Sequence, residues 1–445
     1  MQTFRDPVHN IIQFDPDSER VLLELIDSKA LQRLRHIKQL GLSSYTYPGA
    51  EHSRFSHSLG VCHLMKRFIE TILSLRGDRV RQYQEELRDH RMLALAAALL
   101  HDIGHGPFSH ALEKTTGIDH EEWSQAIITG GTEITQILES YRSGFAREVA
   151  DVIRRTHTAK SVVKLLSSQL DTDRVDYLLR DSLMTGAGYG RFDLEWLIHV
   201  LRIGTFRDDV EVGLDLDKGM SIAEDFVMAR YYMYKHVYLH KSTRSAELIV
   251  GKILQRAVEL RKEGALPVDP VLDAVLCPAG DSGTAPITKE RLDAFLQLTD
   301  HTLWHKFYIW QNHEDPVLSR LCRNLIERRL YKSIPPPEDE FAFFKKLQEL
   351  AARDGVPVDY IYLKDTPSMR SYTDVYLSHQ PKDDESEGER EASEQIVLFD
   401  RNGVGHELAN KSPIINQLRN KSVQLERIYV PEAYKAILTG GLQDV

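Results

Sequence analysis

The sequence predicts a mainly α-helical protein with a short β-hairpin and a small C-terminal α+β lobe. From about residue 18 to residue 200, apolar residues recur three and four positions apart, which is the spacing of one face of a helix. Residues 205–218 instead alternate between apolar and polar, as in a strand. After residue 354, short apolar runs typical of strands lie between helical segments. These patterns place a helical core before a smaller mixed lobe.

The N-terminal half begins with an extended segment and continues in helices. Residues 1–15 alternate around a proline and predict a short strand or extended arm. A helix is predicted from His57 to about Leu75. Its inward stripe consists of Val61, Leu64, Met65, Phe68 and Ile72. Leu87–Asp102 predicts a second helix, which is apolar on all sides in its last turns and therefore buried, and residues 161–184 predict a third.

The second half begins with the hairpin and ends in the mixed lobe. The alternating residues of the hairpin, Thr205–Lys218, are Val210, Val212 and Leu214. A long helix is predicted over 219–262, a loop rich in proline and glycine over 263–290, and further helices to about 353. Beyond them, VPVDYIYLKD, EQIVLFD and LERIYVP predict strands, with helices at 412–420 and at the C-terminus.

We therefore expect three parts along the chain. A core spans 1–262 and begins with an arm at 1–17, a helical extension spans 263–353, and a small α+β lobe spans 354–445. An acidic loop at about 381–395 lies within this lobe and is predicted to be mobile.

Composition and charge exclude several classes of protein. The formal charge of −10 gives the surface no general affinity for nucleic acid, although a phosphate pocket can still be locally basic. Cys62, Cys277 and Cys322 are far apart, which predicts neither a disulfide framework nor a thiolate metal site. The N-terminus lacks a secretory pattern, and the longest apolar run, Met92–Leu100, is too short to cross a bilayer. A cytoplasmic protein is expected.

The dipeptide His101-Asp102 ends the buried second helix. Glycines and a proline follow it in the string IGHGPFSH, which brings His105 and His110 close behind. A solvent-exposed helix end is the alternative interpretation of the dipeptide alone. Polar groups clustered at a buried helix end would be costly without compensation, and a metal ion supplies that compensation.

Two further side chains fit the same site. His57 lies four residues before Val61 on the inward stripe, and Gly60 permits a close approach of another helix. Asp173 lies on the stripe of the third helix with Leu166, Leu170 and Tyr177. A carboxylate on a buried stripe requires a partner. By contrast, Asp176 and Arg180 are four residues apart and are interpreted as an ordinary surface pair.

Two imidazoles and two carboxylates form the predicted metal set, namely His57, His101, Asp102 and Asp173. Mixed nitrogen and oxygen donors suit Mg, Mn, Fe, Ni or Zn, and the sequence does not choose between these metals. Such a centre can activate water or polarise a phosphoryl group.

The strings HSRFSHS, LLHDIGHGPFSH and LDTDRVDYLLRD, in this order, resemble the HD-domain phosphohydrolases. More narrowly, they resemble the deoxynucleoside triphosphate (dNTP) triphosphohydrolases related to the SAM-and-HD-domain dNTPase. FRDPVHN, LQRLRHIKQLG and YPGAEHSRFSHSLGV match the family's N-terminal strings, so that the resemblance covers about residues 1–260. It implies that the predicted core is an HD domain.

The resemblance also implies roles for individual residues. The four residues of the metal set would bind a divalent metal. His120 would be the catalytic acid, partnered by Glu113 where relatives have Asp, and His105 would face the substrate phosphates. The positions implied to bind substrate are Gln39, Arg54, His110, Arg174, Tyr177, Asp181, Arg230 and Tyr238. Among them, Gln39 and Asp181 would bind the 3′-hydroxyl, and Tyr238 would pack under the deoxyribose and exclude a 2′-hydroxyl.

The same resemblance implies an assembly with a regulatory site. Relatives form oligomers, often tetramers, in which an activating nucleotide, commonly a guanine nucleotide, binds between subunits. Asp27, Gln32 and Arg35 match residues that read guanine there, with an exposed polar helix as the alternative. The stretch that matches the family's activator-binding lysine reads Gln2-Thr3.

Two other functions remain open from the sequence. One is an HD phosphohydrolase that acts on another nucleotide or on single-stranded nucleic acid. The GYP string of cyclic-dinucleotide enzymes and the ED pair of alarmone hydrolases are both absent after the HD dipeptide. The other is a non-catalytic nucleotide sensor, for which a catalytic acid such as His120 would be unnecessary.

Overall fold

The computed structural model describes residues 1–276, 286–370, 395–419 and 422–439. It confirms a mainly α-helical fold with small sheets. The first part of the chain forms a hairpin and twelve helices: β1 Gln2–Asp6, β2 Asn10–Phe14, α1 Arg20–Asp27, α2 Lys29–Arg33, α3 Arg54–Ser74, α4 Arg81–Asp89, α5 Arg91–Leu100, α6 His110–Thr116, α7 His120–Thr129, α8 Glu133–Tyr141, α9 Phe145–Ile153, α10 Lys160–Leu166, α11 Thr172–Thr185 and α12 Leu194–His199.

The remaining described elements are the second hairpin, the later helices and the C-terminal strands. They are β3 Leu201–Phe206, β4 Asp209–Asp215, α13 Met220–Met233, α14 Lys241–Lys262, α15 Pro270–Leu276, α16 Lys289–Phe295, α17 Asp300–Trp310, α18 Pro316–Ile326, β5 Lys332–Ile334, α19 Glu340–Asp354, β6 Leu363–Asp365, β7 Ser368–Arg370, β8 Val397–Phe399, β9 Gly405–Glu407, α20 Pro413–Leu418, β10 Ser422–Gln424, β11 Arg427–Val430 and α21 Glu432–Leu438.

The centre of the molecule is built around α3 and α5. Both helices are apolar over most of their length, and every residue of α5 from Leu93 to Leu100 is buried. The α3 helix, predicted from His57, begins at Arg54 and ends at Ser74. Helix α11 packs along α3, and this arrangement carries polar side chains of α11 into the interior.

Three predicted long helices are in fact broken. The helix predicted over Leu87–Asp102 is interrupted at His90: α4 ends at Asp89 and buries one face, whereas α5 begins at Arg91 and is buried on all sides from Leu93. The helix predicted over 161–184 stops at Leu166, and Asp171 caps a new helix by accepting a hydrogen bond from the backbone N–H of Arg174. Each break follows a change in the burial of the flanking faces or a capping side chain.

The third break concerns the helix predicted over 219–262. A π-helical turn, Tyr234–Tyr238, follows α13, and His240 then caps α14 by accepting from Ser242 N–H. Within the predicted loop 263–290, α15 is a helix that was not predicted. Turns of π-helix occur frequently at functional sites.

The strands of the C-terminal third join earlier parts of the chain. A hairpin is present as predicted, but it spans Leu201–Asp215 rather than Thr205–Lys218, with its turn at Arg207 and Asp208, both in the left-handed region. Strand β8 pairs in parallel with β4 of this hairpin, so the sheet order is β3-β4-β8-β9. Strand β11 lies between β5 and β6. The division at 262 and 353 stays a prediction, and these pairings join the predicted lobe to both earlier parts.

The segment VPVDYIYLKD is a strand only from Leu363, after a short 3-10 turn at Val358–Tyr360. Most of the predicted acidic loop, 381–394, lies outside the described residues, as does Cys277. Cys62 and Cys322 are free thiols in the interior. No helix among the described residues combines the length and the apolar character needed to cross a membrane.

Candidate active site

Three helix ends bring the predicted metal ligands together. His57 lies in the first turns of α3, His101 directly follows α5, and Asp173 lies in the first turn of α11. The Nε2 atoms of His57 and His101 are 3.3 Å apart, and Asp173 Oδ1 lies 2.9 Å from the first and 3.5 Å from the second. One ligand atom from each residue therefore converges on a single point.

The other ring nitrogens show which atoms are available at this point. His57 Nδ1 donates to Asp176 Oδ2 at 2.8 Å, and His101 Nδ1 donates to the Ala98 carbonyl at 2.9 Å. Because carboxylate and carbonyl oxygens only accept, these contacts place the proton of each ring on Nδ1. With Nε2 of each ring deprotonated, two lone pairs and a carboxylate oxygen would face one another, which is a donor set that fits a divalent cation.

The electrostatics of the cluster agree with this fit. Burial alone would lower the pKa of His57, but hydrogen bonds to Asp173 and Asp176 outweigh it and raise the pKa to about 10. The pKa of Asp173 is lowered, because contacts with the two histidines outweigh its burial. Such shifts indicate a strongly negative local potential, which attracts a positive charge at this position.

Asp102, the fourth predicted ligand, lies beside this point rather than within the converging group. Its Oδ1 is 3.3 Å from His101 Nε2 and 3.4 Å from His105 Nε2. Its Oδ2 accepts from Arg54 Nη1 at 2.6 Å and is 3.8 Å from His57 Nε2. The carboxylate thus connects the metal-ligand histidines to the neighbouring histidine pair.

The predicted catalytic residues form that second cluster. The rings of His105 and His120 stack with centroids 4.0 Å apart, and His120 Nδ1 donates to Glu113 Oε1 at 3.2 Å. Burial alone would lower the pKa of His120, but the hydrogen bond and charge of Glu113 raise it. Burial and the charge of Arg54 lower the pKa of His105 to about 3. One histidine is therefore suited to carry a proton, while its neighbour stays neutral.

The three arginines predicted to bind substrate are all buried, and each contacts polar groups. Arg54 contacts Asp102, as described above, and its Nη2 lies 3.5 Å from Ser109 Oγ. Arg174 donates to the Ser168 carbonyl and to Asp171, and Arg230 donates to Gln169 Oε1 at 2.5 Å. Buried guanidinium groups are costly unless they meet negative charge or several acceptors.

The predicted sugar-binding residues lie further along α11 and on the π-helical turn. Asp173, Tyr177 and Asp181 are four residues apart and share one face of α11. Tyr238 donates to Asp181 Oδ2 at 2.9 Å, and its ring meets that of Tyr177 edge-on with centroids 6.2 Å apart. The backbone N–H of Gln39 donates to the carbonyl of His52 at 3.0 Å, and the side chain of His52 contacts Asp181.

His52 was missed by the sequence analysis. Its Nε2 donates to Asp181 Oδ1 at 2.7 Å, and it lies in the string HSRFSHS that drew attention to His57. His110 is the first residue of α6, and its side chain lies outside the described part of the structure.

The predicted guanine-reading residues are near the surface on α1, α2 and the turn that follows. Asp27 and Arg35 are exposed, and Gln32 is half-buried. Gln32 Nε2 donates to the Ile26 carbonyl at 2.7 Å, and Arg35 Nε donates to Gln32 Oε1 at 2.7 Å. The Arg35 guanidinium also stacks on the Phe55 ring at 3.6 Å, so Gln32 and Arg35 are both held by contacts within one chain.

The interpretation of Asp176 and Arg180 as a surface pair is wrong. Both side chains are fully buried, and their ion pair is 2.8 Å long. Asp176 contacts His57 because α3 has a glycine at its crossing with α11: a Cβ at Gly60 would lie 1.9 Å from Asp176 Oδ1. The i,i+4 spacing gave no sign of this contact, whereas Gly60 on the inward stripe was the available signal.

Comparisons with known proteins agree with this geometry. The family model described as HD domain matches residues 54–181, which include the four predicted metal ligands. The uncharacterized protein YwfO of Bacillus subtilis is 37% identical over 432 residues, covering 97% of this chain and 92% of that protein. The chain therefore belongs to the HD-domain phosphohydrolase family.

Two further matches refine the comparison. A solved phosphohydrolase structure from Bacteroides thetaiotaomicron has a TM-score of 0.76 and 29% identity, with 96% of this chain and 98% of that chain covered. The Dictyostelium discoideum homolog of deoxynucleoside triphosphate triphosphohydrolase SAMHD1 is 29% identical over 272 residues. That match covers 57% of this chain and 50% of the relative. The present chain is thus a hydrolase of the HD-domain class, related to SAMHD1.

Proposed function

We propose that the protein is a metal-dependent dNTP triphosphohydrolase that converts a dNTP and water into a deoxynucleoside and triphosphate. The observation that carries the proposal is the continuous face of α11. On this face Asp173 joins the candidate metal site, and Tyr177 and Asp181 both contact Tyr238. The candidate metal site therefore adjoins a group of polar and aromatic side chains suited to contact a sugar, namely Tyr177, Asp181 and Tyr238. The similarity to SAMHD1 relatives supports the choice of substrate.

The metal would be held by His57, His101 and Asp173, with Asp102 beside them. When bound, a divalent metal supplies Lewis acidity toward a phosphoryl oxygen and lowers the pKa of water. Mg, Mn, Fe, Ni and Zn all fit this mixed donor set. The inward-facing arginines neutralise a substrate that carries about four negative charges.

His120 supplies the proton for the leaving group. Water attacks the α-phosphorus, the bond to the 5′-oxygen breaks, and His120 protonates that oxygen before it regains a proton from solvent. Because Glu113 accepts from Nδ1, the protonated ring presents Nε2–H to the substrate. The stacked ring of His105, whose pKa burial lowers to about 3, stays neutral and would face the substrate phosphates.

The sugar pocket selects for a deoxyribose. The side-chain oxygen of Gln39 is buried and accepts no hydrogen bond from the described residues, so it is an available acceptor for the 3′-hydroxyl. Asp181 is fixed by His52 and Tyr238 on its two oxygens. With the Tyr238 ring packed under the sugar, a 2′-hydroxyl would lose space and would find no partner.

The regulatory hypothesis is part of the same proposal. A guanine nucleotide would bind at Asp27, Gln32 and Arg35 in a homo-oligomer, either a dimer or a tetramer. Equal rates for each dNTP alone and in mixtures, with no lag and no change in oligomer size, would contradict this hypothesis.

The proposed activity is tested by product analysis. The purified protein is incubated with each candidate metal and a panel of dNTPs and NTPs, and the phosphate product is identified by ion-exchange chromatography. Triphosphate release from dNTPs, with little from NTPs, is expected. Pyrophosphate or orthophosphate as the first product would contradict the proposal and favour another phosphohydrolase reaction.

A variant separates the enzyme from a nucleotide sensor. In an enzyme, His120→Ala should lower kcat about 10²- to 10⁴-fold, the range typical of a lost general acid, while substrate binding is retained. A sensor should keep its regulatory output in this variant. Binding is measured by calorimetry with a dNTP.

A further inference from the structure

The FRDPVHN string, which has no role in the proposed reaction, forms the tip of the N-terminal hairpin. Asp6 ends β1, and its Oδ1 accepts from the backbone N–H groups of Val8 and His9, both at 2.9 Å. These two bonds fix the turn of the hairpin and direct the His9 side chain away from it. The turn is therefore built to present one imidazole.

That imidazole reaches the buried carboxylate behind the candidate metal site. His9 Nε2 lies 2.6 Å from Asp176 Oδ1, and both side chains are fully buried. Because an ionised carboxylate only accepts, the proton is on Nε2. His9 Nδ1 is buried and has no hydrogen-bond partner in the described part of the chain, which agrees with a bare lone pair there.

Arg180 joins the same carboxylate to the hairpin a second time. Its Nε and Nη2 donate to the two oxygens of Asp176 at 2.8 and 3.0 Å, and its Nη1 and Nη2 donate to Asp6 at 2.7 and 3.3 Å. With His9 and His57 included, each oxygen of Asp176 accepts two hydrogen bonds. The carboxylate is therefore held in a single orientation.

The fixed carboxylate acts on one nitrogen of one metal ligand. His57 Nδ1 donates to Asp176 Oδ2 at 2.8 Å, which keeps the proton on Nδ1 and directs the Nε2 lone pair toward His101 and Asp173. A buried group of four charged or polar side chains is a costly way to stabilise a fold compared with apolar packing. The energetic cost of this buried group is explained if the group orients the metal ligand His57.

We propose that Asp176 is the positioning residue for His57, and that Asp6, His9 and Arg180 form a positioning network through which the N-terminal hairpin completes the metal centre. This inference rests on the proposed metal-dependent function. It assigns a role in metal binding to a hairpin that begins more than 40 residues before the first ligand in the chain.

Mn²⁺ binding tests the network without a substrate. The dissociation constant is measured on the full chain from the EPR signal of free Mn²⁺, with His57→Ala as the variant that shows the titration reports this site. Asp176→Asn should weaken Mn²⁺ binding about 10- to 100-fold, the range for partners of metal ligands. His9→Leu, which removes the donor, should weaken it by at least about threefold. His9→Gln, which restores an N–H donor, should bind more tightly than His9→Leu.

The matched control is Asp365→Asn. Asp365 and Asp176 are both buried carboxylates, and the two oxygens of each accept from Nε and Nη2 of one arginine, Arg244 in the case of Asp365. This control should lower the unfolding temperature as the network variants do, yet leave the Mn²⁺ dissociation constant unchanged. It separates general destabilisation from ligand positioning.

Each outcome has a distinct meaning. An Asp176→Asn variant that is folded and binds Mn²⁺ within twofold of the parent overturns the positioning role but leaves the proposed function intact. Equal weakening in His9→Leu and His9→Gln, or parent-like binding in both, removes the hairpin from the metal centre. A parent chain that binds no Mn²⁺ at His57 contradicts the metal site itself, and the network proposal with it.

Discussion

His120 and Glu113 form the contact on which the proposed chemistry depends most at the scale of single residues. The carboxylate raises the pKa of the imidazole, and only the protonated imidazole can donate to a leaving oxygen. Activity should therefore be present below the pKa of His120 and be lost as pH rises through it. The raised pKa of His120 extends the pH range of activity to higher pH.

Replacing Glu113, the partner of His120, should shift the pH above which activity is lost. In Glu113→Gln the charge that raises the pKa of His120 is gone, so the basic limb of the kcat profile should shift to lower pH. The profile is recorded at saturating metal, because protonation of the ligands dominates the acid limb. A basic limb that stays in place would show that another group titrates there.

The individual residues differ in how far they could be predicted. His57 and His101 were predicted because helical spacing and a buried helix end are local patterns. Asp173 was predicted from a stripe that runs through Leu166 and Leu170, yet the chain breaks before α11 and the true face is Asp173, Tyr177 and Asp181. Asp173 does lie with His57 and His101, although the helical stripe from which it was predicted is interrupted between Leu166 and Thr172.

Asp176 and His52 could not be predicted for a different reason. The partners of Asp176 include His9, which is 167 residues away in the sequence, and His52 contacts an aspartate 129 residues away. Local periodicity gives the face of a helix but carries no information on which distant side chain meets it. The interpretation of a charged i,i+4 pair as exposed fails in such cases.

At the scale of elements, the crossing of α3 and α11 depends on Gly60. A methyl group there would lie 1.9 Å from Asp176 Oδ1 and 2.4 Å from Arg180 Nη2. We expect Gly60→Ala to destabilise the fold by about 1–3 kcal/mol through overpacking, and to weaken metal binding because Asp176 must move. Urea unfolding and the Mn²⁺ titration measure the two effects.

Another helical glycine provides the control. Gly251 lies within α14, and a Cβ at this position would meet no atom within 4 Å. Gly251→Ala should therefore be neutral or stabilise the protein by up to about 1 kcal/mol, since alanine favours the helix. Equal destabilisation by both substitutions would show that the crossing is not closely packed at Gly60.

The boundaries of elements were harder to predict than their existence. The sequence predicted single helices over 161–184 and 219–262, but a capping aspartate and a π-helical turn divide them. Both divisions flank residues of the candidate site, Asp173 and Tyr238. Side chains with specific hydrogen bonds there outweigh the helical propensity of the intervening residues.

At the scale of the whole molecule, the C-terminal strands pair with strands of the earlier parts of the chain. Strand β8 extends the β3–β4 hairpin in parallel, and Arg427 donates to the Leu239 carbonyl at 2.6 Å beside the π-helical turn. Parallel pairing between residues as far apart as Gly213 and Val397 leaves no local signal in the sequence. The predicted lobe was recognisable, but its attachment was not.

This arrangement predicts the behaviour of a shortened chain. A chain that ends at residue 394 loses β8, β9 and β11, which contain several fully buried side chains such as Leu398 and Tyr429. Each such side chain contributes about 1.5–3 kcal/mol, so their sum approaches a typical total stability. The full chain should unfold in one calorimetric transition and the shortened chain should not fold cooperatively. Two separate transitions in the full chain would contradict this expectation.

The proposed reaction requires that water attacks the α-phosphorus and that triphosphate leaves in one step. Turnover of a dNTP in H₂¹⁸O, followed by ³¹P NMR and mass spectrometry, tests it directly. We predict one ¹⁸O atom in a terminal phosphate of triphosphate, and an unlabelled deoxynucleoside. Label in a deoxynucleoside monophosphate, in pyrophosphate or in orthophosphate as first product would contradict the claim, as would label in the 5′-hydroxyl.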